Sequence, residues 1–367
     1  MKTAFIAGTR PNFMKIAPLI EQFRKKKIEC ILIHTGQHYD REMSKLFFDE
    51  LKLPEPDINL GVGSGTYGGQ ISSIISKLEN VLIKEKPSLV VVVGDVNSTL
   101  AGALIAKQLG IRVAHVEAGL RSFDMAMPEE INRMLTDRIS DFLFTTEESA
   151  NRNLLNEGIC RGKIFFVGNV MIDTLLQHRE KSDKSGILKK LDLKENRYCV
   201  LTLHRPSNVD NKEGLENIAS ILEKIQEKIK IVFPVHPRTK KNLSLFGLDK
   251  RFNSMKNLVL TEPLGYLEFL CLMGSSRLVL TDSGGIQEET TVLNVPCITL
   301  RENTERPVTF EHGTNLLVST DKDKVADKST EVISGKIPVK NRIPELWDGK
   351  AAERIVKILM EKVKNGI

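Results

Sequence analysis

Leu278-Val279-Leu280-Thr281-Asp282-Ser283-Gly284-Gly285-Ile286-Gln287-Glu288-Glu289 is an apolar run that breaks at Thr-Asp-Ser, passes two glycines and restarts as a helix with early carboxylates. A buried strand feeding a helix in this way belongs to α/β proteins with parallel sheets. Two glycines allow close approach of backbone or ligand. The helix start then directs unpaired N–H groups and the positive end of its dipole at whatever lies above the strand, which is a phosphate seat. An ordinary turn with Ser283 as helix cap fits the same letters, and both readings stay open here. Glu289, further along the helix, is placed to accept hydrogen bonds from a ribose.

The same alternation extends in both directions. Strands are predicted at 3–7, 29–34, 89–93, 113–117, 142–145 and 164–167, and again at 198–203, 229–235, 258–261, 278–280, 297–300 and 316–318. Amphipathic periods between them predict helices at 11–26, 41–51, 69–86, 98–109, 128–139 and 149–156, then at 213–228, 264–273, 285–292, 322–334 and 350–364. A charged, Ser- and Gly-containing stretch from Gln177 to Arg197 reads as a helix end plus linker, which divides the chain into domains 1–176 and 177–349. The expected class is therefore α/β, with two Rossmann-like domains built on parallel sheets. A length of 367 residues suits two domains, and 41% hydrophobic with 27% charged residues is a globular balance.

A net charge of +6 without a basic stripe carrying interleaved aromatics argues against nucleic acid. No apolar stretch is long enough to span a bilayer, so no membrane partner is expected. Five cysteines (Cys30, Cys160, Cys199, Cys271, Cys297) are scattered without a C-x-x-C pair, and no signal-peptide shape precedes the first strand; the expected location is cytoplasmic. No histidine or cysteine set has zinc-like spacing, so neither a metal nor a cofactor is expected.

Candidate chemistry gathers where strands end. Gly8-Thr9-Arg10-Pro11 closes the first strand of one half, and Leu203-His204-Arg205-Pro206 closes the first strand of the other. Each puts a cation at the carboxyl edge of a sheet, where open α/β sheets bind ligands. Arg10 and Lys15 lie at a helix start, where cations oppose the dipole unless an anion compensates. Asp95 and Glu117 follow neighbouring apolar runs; either alone could be a helix cap or an ion-pair partner, and the two together at one sheet edge read as acid/base groups. Glu129 opens a helix, where an acid is stabilising in itself, and is spaced for an i,i+4 pair with Arg133. His204 suits proton transfer or phosphate binding. His236 and Arg306 also follow strand ends, and His115 reads equally as core or functional. Gly63-Ser64-Gly65-Thr66-Tyr67-Gly68 fits G-x-G-x-x-G, but no buried strand precedes it and no acid follows past the helix; it reads as a mobile glycine loop, not a dinucleotide site.

Taken in order, Gly8-Thr9-Arg10-Pro11 with Lys15, Gly94-Asp95, His115-Val116-Glu117-Ala118-Gly119-Leu120-Arg121, Pro128-Glu129-Glu130 with Asn132-Arg133, His204-Arg205, Thr281 to Glu289 and Thr304-Glu305-Arg306-Pro307 resemble the non-hydrolysing UDP-N-acetylglucosamine 2-epimerases over nearly the whole chain. The resemblance implies a glycosyltransferase-B-type pair of domains with the active site in the interdomain cleft, a C-terminal helix (350–367) packing back on the first domain, and a homodimer. It implies reversible epimerisation of a UDP-sugar at C2, by elimination of UDP to 2-acetamidoglucal and re-addition, with no cofactor. Asp95, Glu117, Glu129 and His204 match the catalytic set. Arg10, Lys15, Arg133 and Arg205 match substrate-binding cations. Ser283, Gly284, Gly285, Glu289 and Arg306 match the UDP site, and Phe269 the position beside uracil. Asn12-Phe13-Met14 stands where the family usually carries a Glu-Ala-Ile-like stretch, and Pro206-Ser207 where many members carry a glutamate before Asn208. A branch acting on UDP-2,3-diacetamido-uronic acids, a hydrolysing relative and a non-catalytic UDP-sugar-binding module are the competing readings.

Overall fold

The structure, a computed structural model, describes residues 2–37, 50–51, 53–336 and 342–364. It divides into two units, Met1–Gln177 with Glu345–Ile367, and His178–Pro344. The helix expected at 41–51 lies almost entirely outside the described residues.

The first unit holds seven parallel strands: β1 (Thr3–Ala7), β2 (Cys30–His34), β3 (Ile58–Asn59), β4 (Leu89–Val93), β5 (Arg112–Ala118), β6 (Phe142–Thr145) and β7 (Ile164–Phe166). Their order is β3-β2-β1-β4-β5-β6-β7. β1 and β4 are buried along their whole length, which is why they read as unbroken Val/Ile/Ala/Phe runs instead of alternating. The helices are α1 (Arg10–Lys25), α2 (Tyr67–Glu85), α3 (Asn97–Gln108), α4 (Pro128–Ile139), α5 (Glu148–Asn156) and α6 (Val170–Ser182), and α6 carries the chain into the second unit. β3 was not anticipated: it is a two-residue edge strand after a proline-rich stretch, too short to show a period. Beyond it, Val62 and Gly63 donate to the carbonyls of Thr35 and Gly36, so the glycine segment continues the edge pairing. A Cβ on Gly36 would stand 3.0 Å from Gly61 Cα.

The second unit repeats the plan with β8 (Tyr198–Thr202), β9 (Lys230–Pro234), β10 (Leu258–Thr261), β11 (Leu278–Thr281), β12 (Cys297–Leu300) and β13 (Asn315–Val318), ordered β10-β9-β8-β11-β12-β13 and all parallel. Its helices are α7 (Ile187–Lys190), α8 (Pro206–Val209), α9 (Lys212–Ile225), α10 (Pro237–Leu245), α11 (Asp249–Asn253), α12 (Tyr266–Gly274), α13 (Gly284–Leu293), α14 (Val308–Glu311) and α15 (Lys322–Ile333). α10 escaped the sequence reading because its first turns are Pro-Arg-Thr-Lys-Lys-Asn and carry no apolar stripe. His236 starts it, Nδ1 accepting from the Arg238 amide. Leu215, Ile218, Leu222 and Ile225 of α9 pack on the sheet's Leu201, Ile231 and Phe233.

After residue 344 the chain returns to the first unit. Trp347 is buried and donates Nε1–H to the Thr146 carbonyl at 2.9 Å. The last helix, α16 (Ala351–Lys364), has its first amides capped by another element: Asp173 on α6 accepts from Ala351 and Ala352 at 3.1 and 2.7 Å. Gly168 lets this segment in. It sits at φ 86°, and a Cβ there would stand 2.1 Å from the Leu346 carbonyl oxygen. Gly168→Ala is expected to destabilise the protein by about 3 kcal/mol or more, strain plus clash. Gly158→Ala, at φ 77° but with nothing near its Cβ, carries strain alone, about 1 kcal/mol. Urea midpoints of the two variants check the difference; equal losses would refute the docking role.

Candidate functional site

The carboxyl edge of the first sheet is built around the turn from β1 to α1. Asn12 Oδ1 accepts from the amides of Gly8 and Thr9, each at 3.1 Å, and from the Thr9 hydroxyl. Its Nδ2 donates to the Val93 carbonyl at 3.1 Å, tying the turn to the end of β4. A carboxylate in the same place could accept but not donate, so an amide meets both demands of this turn. Arg10 is thereby fixed in the first turn of α1, a turn without acidic residues. Lys15, one turn on and buried, meets Glu117 with Nζ–Oε2 at 2.6 Å. Glu117 adopts φ 70° where the β5–β6 register shifts between Val116 and Ala118. A non-glycine residue held left-handed costs of order 1–3 kcal/mol and survives where its direction matters.

Asp95 follows Gly94 past β4. Its carboxylate pairs with Arg133, whose other amino group pairs with buried Glu130. Glu130 in turn accepts from the amides of Ser122 and Phe123, fixing the loop before α4. Arg133, expected to bind substrate, is 3% exposed and holds Asp95 in place. Glu129, its neighbour in the motif, is exposed. His115 is resolved as a positioning residue: Nδ1 faces Asp137 Oδ1 at 2.7 Å and Nε2 faces the Gly94 carbonyl at 2.8 Å. Both partners are acceptors, and together they fix the plane and direction of the ring. Burial alone would push the Asp137 carboxyl up, but His115 and Arg121 hold it below the usual carboxylate range. Asp137 also accepts from the Gly119 amide, so one buried cluster fixes the ends of β4 and β5 together.

The carboxyl edge of the second sheet is organised by Asp282. This fully buried carboxylate accepts from the amides of His204 (3.1 and 3.2 Å) and Arg205 (3.0 Å), from Asn208 Nδ2 (2.9 Å), and contacts His204 Nδ1 at 2.9 Å. Desolvation would raise its pKa, and the His204 contact together with the Asn208 and Arg205 donors brings it below the ordinary value. The contact requires the His204 proton on Nδ1, leaving Nε2 to accept a proton or, in the cation, to give one. The exposed His236 lies near enough for His204's charge to count among the causes, after burial, that lower its pKa.

Ser283 stands at the N-cap of α13, yet its side chain makes no capping bond, which removes the purely structural reading of that serine. Gly284 is required by Arg306: a Cβ there would stand 2.4 Å from Nη1. Arg306 is held by Glu288 at 2.7 Å and Glu305 at 3.3 Å. Glu305 also receives Arg301 at 3.0 Å and Arg205 at 3.3 Å. Three guanidinium groups thus meet two carboxylates beside a helix N-terminus, a cationic excess suited to a diphosphate. Glu289 is buried and accepts from the Tyr266 hydroxyl at 3.3 Å. Phe269, on the same helix as Tyr266, is half-buried, while Leu270 and Cys271 beside it are the core residues.

The structure therefore gathers Arg10, Lys15, Asp95, Glu117 and Arg133 at one sheet edge, and His204, Arg205, Ser283, Gly284, Gly285 and Arg306 at the other, with Glu289 and Phe269 on the flanking helices. Sequence reasoning missed Glu130, Asp137, Asp282, Arg301 and Glu305. All five act on other side chains or on loops, and only the strand-end position of Asp282 gave a local signal. Among the described residues, no group of three or more His, Cys, Asp or Glu side chains is placed to hold a metal, and no helix is long and apolar enough to cross a membrane.

Two doubly wound sheets, one edge carrying cation-paired carboxylates and the other an arginine-rich helix start, define an α/β protein equipped for a nucleotide-linked substrate. The family profile described as UDP-N-acetylglucosamine 2-epimerase matches residues 21–360, and the chain belongs to that enzyme family. It is 50% identical to the UDP-N-acetylglucosamine 2-epimerase of Methanocaldococcus jannaschii, over 98% of this chain and 99% of that protein. The crystal structure of the M. jannaschii enzyme in complex with UDP-GlcNAc and UDP matches with a TM-score of 0.91, covering 98% of this chain and 100% of that one. The UDP-2,3-diacetamido-2,3-dideoxy-D-glucuronate 2-epimerase of Pseudomonas aeruginosa is 39% identical over 98% of this chain and 99% of its own length.

Removing one partner of a buried pair strands the other charge, at about 3–5 kcal/mol. Lys15→Met should therefore destabilise the protein by that order, and Lys15→Met with Glu117→Gln should recover most of it; denaturation of the double-mutant set measures this, and simple additivity would count against the pair. The lowered pKa of Asp282 gives stability that is fully present above its unfolded value near 3.9 and is lost as pH falls through the lower folded value. Stability measured from pH 7 downward should show wild type and Asp282→Asn converging below about pH 4; a constant gap would exclude the assigned contacts.

Proposed function

We propose that this protein interconverts UDP-N-acetylglucosamine and UDP-N-acetylmannosamine. A C2 proton with no adjacent carbonyl is not acidic by enolisation. It becomes removable when the C1–oxygen bond breaks at the same time, so that a carboxylate takes the proton, the C2–H electrons form the C1=C2 bond of 2-acetamidoglucal, and UDP departs with the C1–O pair. In the return step a proton arrives at the other face of C2 and a UDP oxygen re-forms the bond to C1. Two faces call for more than one acid/base group, and Asp95, Glu117 and Glu129 fill these roles, with Lys15 holding Glu117 and Arg133 holding Asp95. Departing UDP is stabilised by preorganised positive potential: Arg205, Arg306, His204 and the α13 start at Ser283, Gly284 and Gly285. Glu289 takes the ribose hydroxyls, and Phe269 lies against the uracil.

The observation that carries this reading is Glu117, held at φ 70° with its carboxylate on buried Lys15. A module that only binds UDP-sugars has no use for a strained carboxylate beside Asp95. We also propose a cytoplasmic homodimer. Phe123, Met125, Ile131 and Leu135 expose apolar side chains on α4 and the loop before it, a surface that a second copy would cover.

Turnover of UDP-N-acetylglucosamine in heavy water should place deuterium at C2 of both epimers, read by NMR. Retained protium would exclude the elimination route, free N-acetylmannosamine would indicate hydrolysis, and exclusive turnover of a UDP-2,3-diacetamido-uronic acid would move the chain to that branch. Asp95→Asn should lower kcat by about 100-fold or more and leave UDP affinity within about threefold. A large affinity loss would reassign Asp95 to binding.

A further inference from the structure

The glycine segment before α2 is not absorbed by the chemistry above, yet the first residue of that helix is wired into it. Tyr67 donates its phenol proton to Asn132 Oδ1. Asn132 is 1% exposed and uses both ends of its amide: Nδ2 donates to the Asp95 carbonyl at 2.9 Å and to Asn97 Oδ1 at 3.2 Å. Asn97 Nδ2 donates to Gln70 Oε1 at 2.7 Å, and Gln70 Nε2 to the Gly63 carbonyl at 3.0 Å. Each amide in this chain has its orientation dictated by its neighbours, and the chain runs from the glycine segment to the backbone of Asp95. Burial, followed by the negative charge of Glu129, raises the Tyr67 pKa, so the phenol keeps its proton at neutral pH.

The consequence is directional. With its only proton committed to Asn132, the Tyr67 oxygen has lone pairs to offer and nothing to give. The residue is 41% exposed, and no described group donates to that oxygen. We infer that Tyr67 is a substrate-contacting residue of the epimerisation, a neutral acceptor for one O–H or N–H donor on the sugar, and this rests on the function proposed above. A 2-acetamido sugar presents several such donors. A neutral acceptor orients the ring without adding a further carboxylate next to Asp95 and Glu129, where another negative charge would repel the diphosphate and the departing UDP. Gly68 and Gly69, directly after Tyr67, keep side chains away from the helix start, and a Cβ on Gly68 would meet nothing within 4 Å.

The test is Tyr67→Phe, which keeps the ring and should leave the fold intact. Losing one neutral hydrogen bond should raise the KM for UDP-N-acetylglucosamine about 3- to 10-fold, with kcat and the Kd for UDP alone within about twofold. UDP-sugars lacking one sugar hydroxyl at a time, together with one N-methylated at the acetamide, complete a double cycle. The analogue missing the donated hydrogen should bind wild type and Tyr67→Phe equally, and thereby identifies which donor is used. An unchanged KM, or the same loss on every analogue, would overturn the inference and leave Tyr67 as a support for Asn132. A wild-type protein that binds UDP but turns over no UDP-sugar would overturn the proposed function, and the role of Tyr67 with it.

Discussion

At the centre of each sheet, neighbouring strands send the chain away in opposite directions, and that parting is the constraint on which both edges depend. β1 and β4 part in the first unit, β8 and β11 in the second. Backbone groups at the gap lose their ladder partners and cannot be left buried and unpaired. Each unit solves this with one polar side chain. Asn12 takes two amides after β1 and gives a hydrogen to the last carbonyl of β4. Asp282, from the end of β11, takes two amides after β8. The choice of side chain follows from what has to be satisfied: the first gap needs an acceptor and a donor, hence an amide, while the second needs acceptors for amides, an asparagine and a histidine, hence a carboxylate.

These clasps set the electrostatics of what lies beyond them. In the first unit each strand-end acid has its own cation: Glu117 has Lys15 and Asp95 has Arg133, while Asp137, on α4, is held by Arg121 and the His115 ring. Buried charges arranged this way are held in one geometry, because any displacement leaves an unpaired charge in a low-dielectric setting. In the second unit the balance tips towards arginine, and Glu305 keeps three of them from moving apart. The first edge is thus suited to holding carboxylates at fixed angles, and the second to receiving an anion. In the proposed reaction, proton transfer and diphosphate release make those two demands separately.

Much of the fold could be read directly because fully buried parallel strands write themselves as apolar runs, as in Leu89–Val93. The failures were local and have physical reasons. Ile58–Asn59 is too short for any period, and α10 relies on Pro237 and a histidine cap where a stripe would be sought. The strand-end residues Arg10, Asp95, Glu117 and His204 were legible because the carboxyl edge of an open sheet is a position that can be inferred without coordinates. Their partners were not. Glu130 reads as a favourable first-turn acid and Arg133 as the i,i+4 neighbour of Glu129, and only tertiary structure shows that Arg133 joins Glu130 to Asp95. Glu305 and Arg301 lie in a segment whose sequence signals a turn, and their meeting with Arg205 spans about a hundred residues of chain.

Ser283 and Glu117 carry the argument furthest, because in both the backbone and the side chain disagree about what a structural role would require. A serine at an N-cap normally closes the helix with its hydroxyl, for about 1 kcal/mol, and Ser283 forgoes that bond. A glutamate in a strand normally keeps φ negative, and Glu117 does not. Each departure lowers stability, and neither is compelled by its neighbours in sequence. The two departures sit at the strand ends where the proposed reaction needs an anion seat and a carboxylate base. Local rules fail where a residue is held for something other than the fold, and here the failures single out the same two edges that the sheet topology selects.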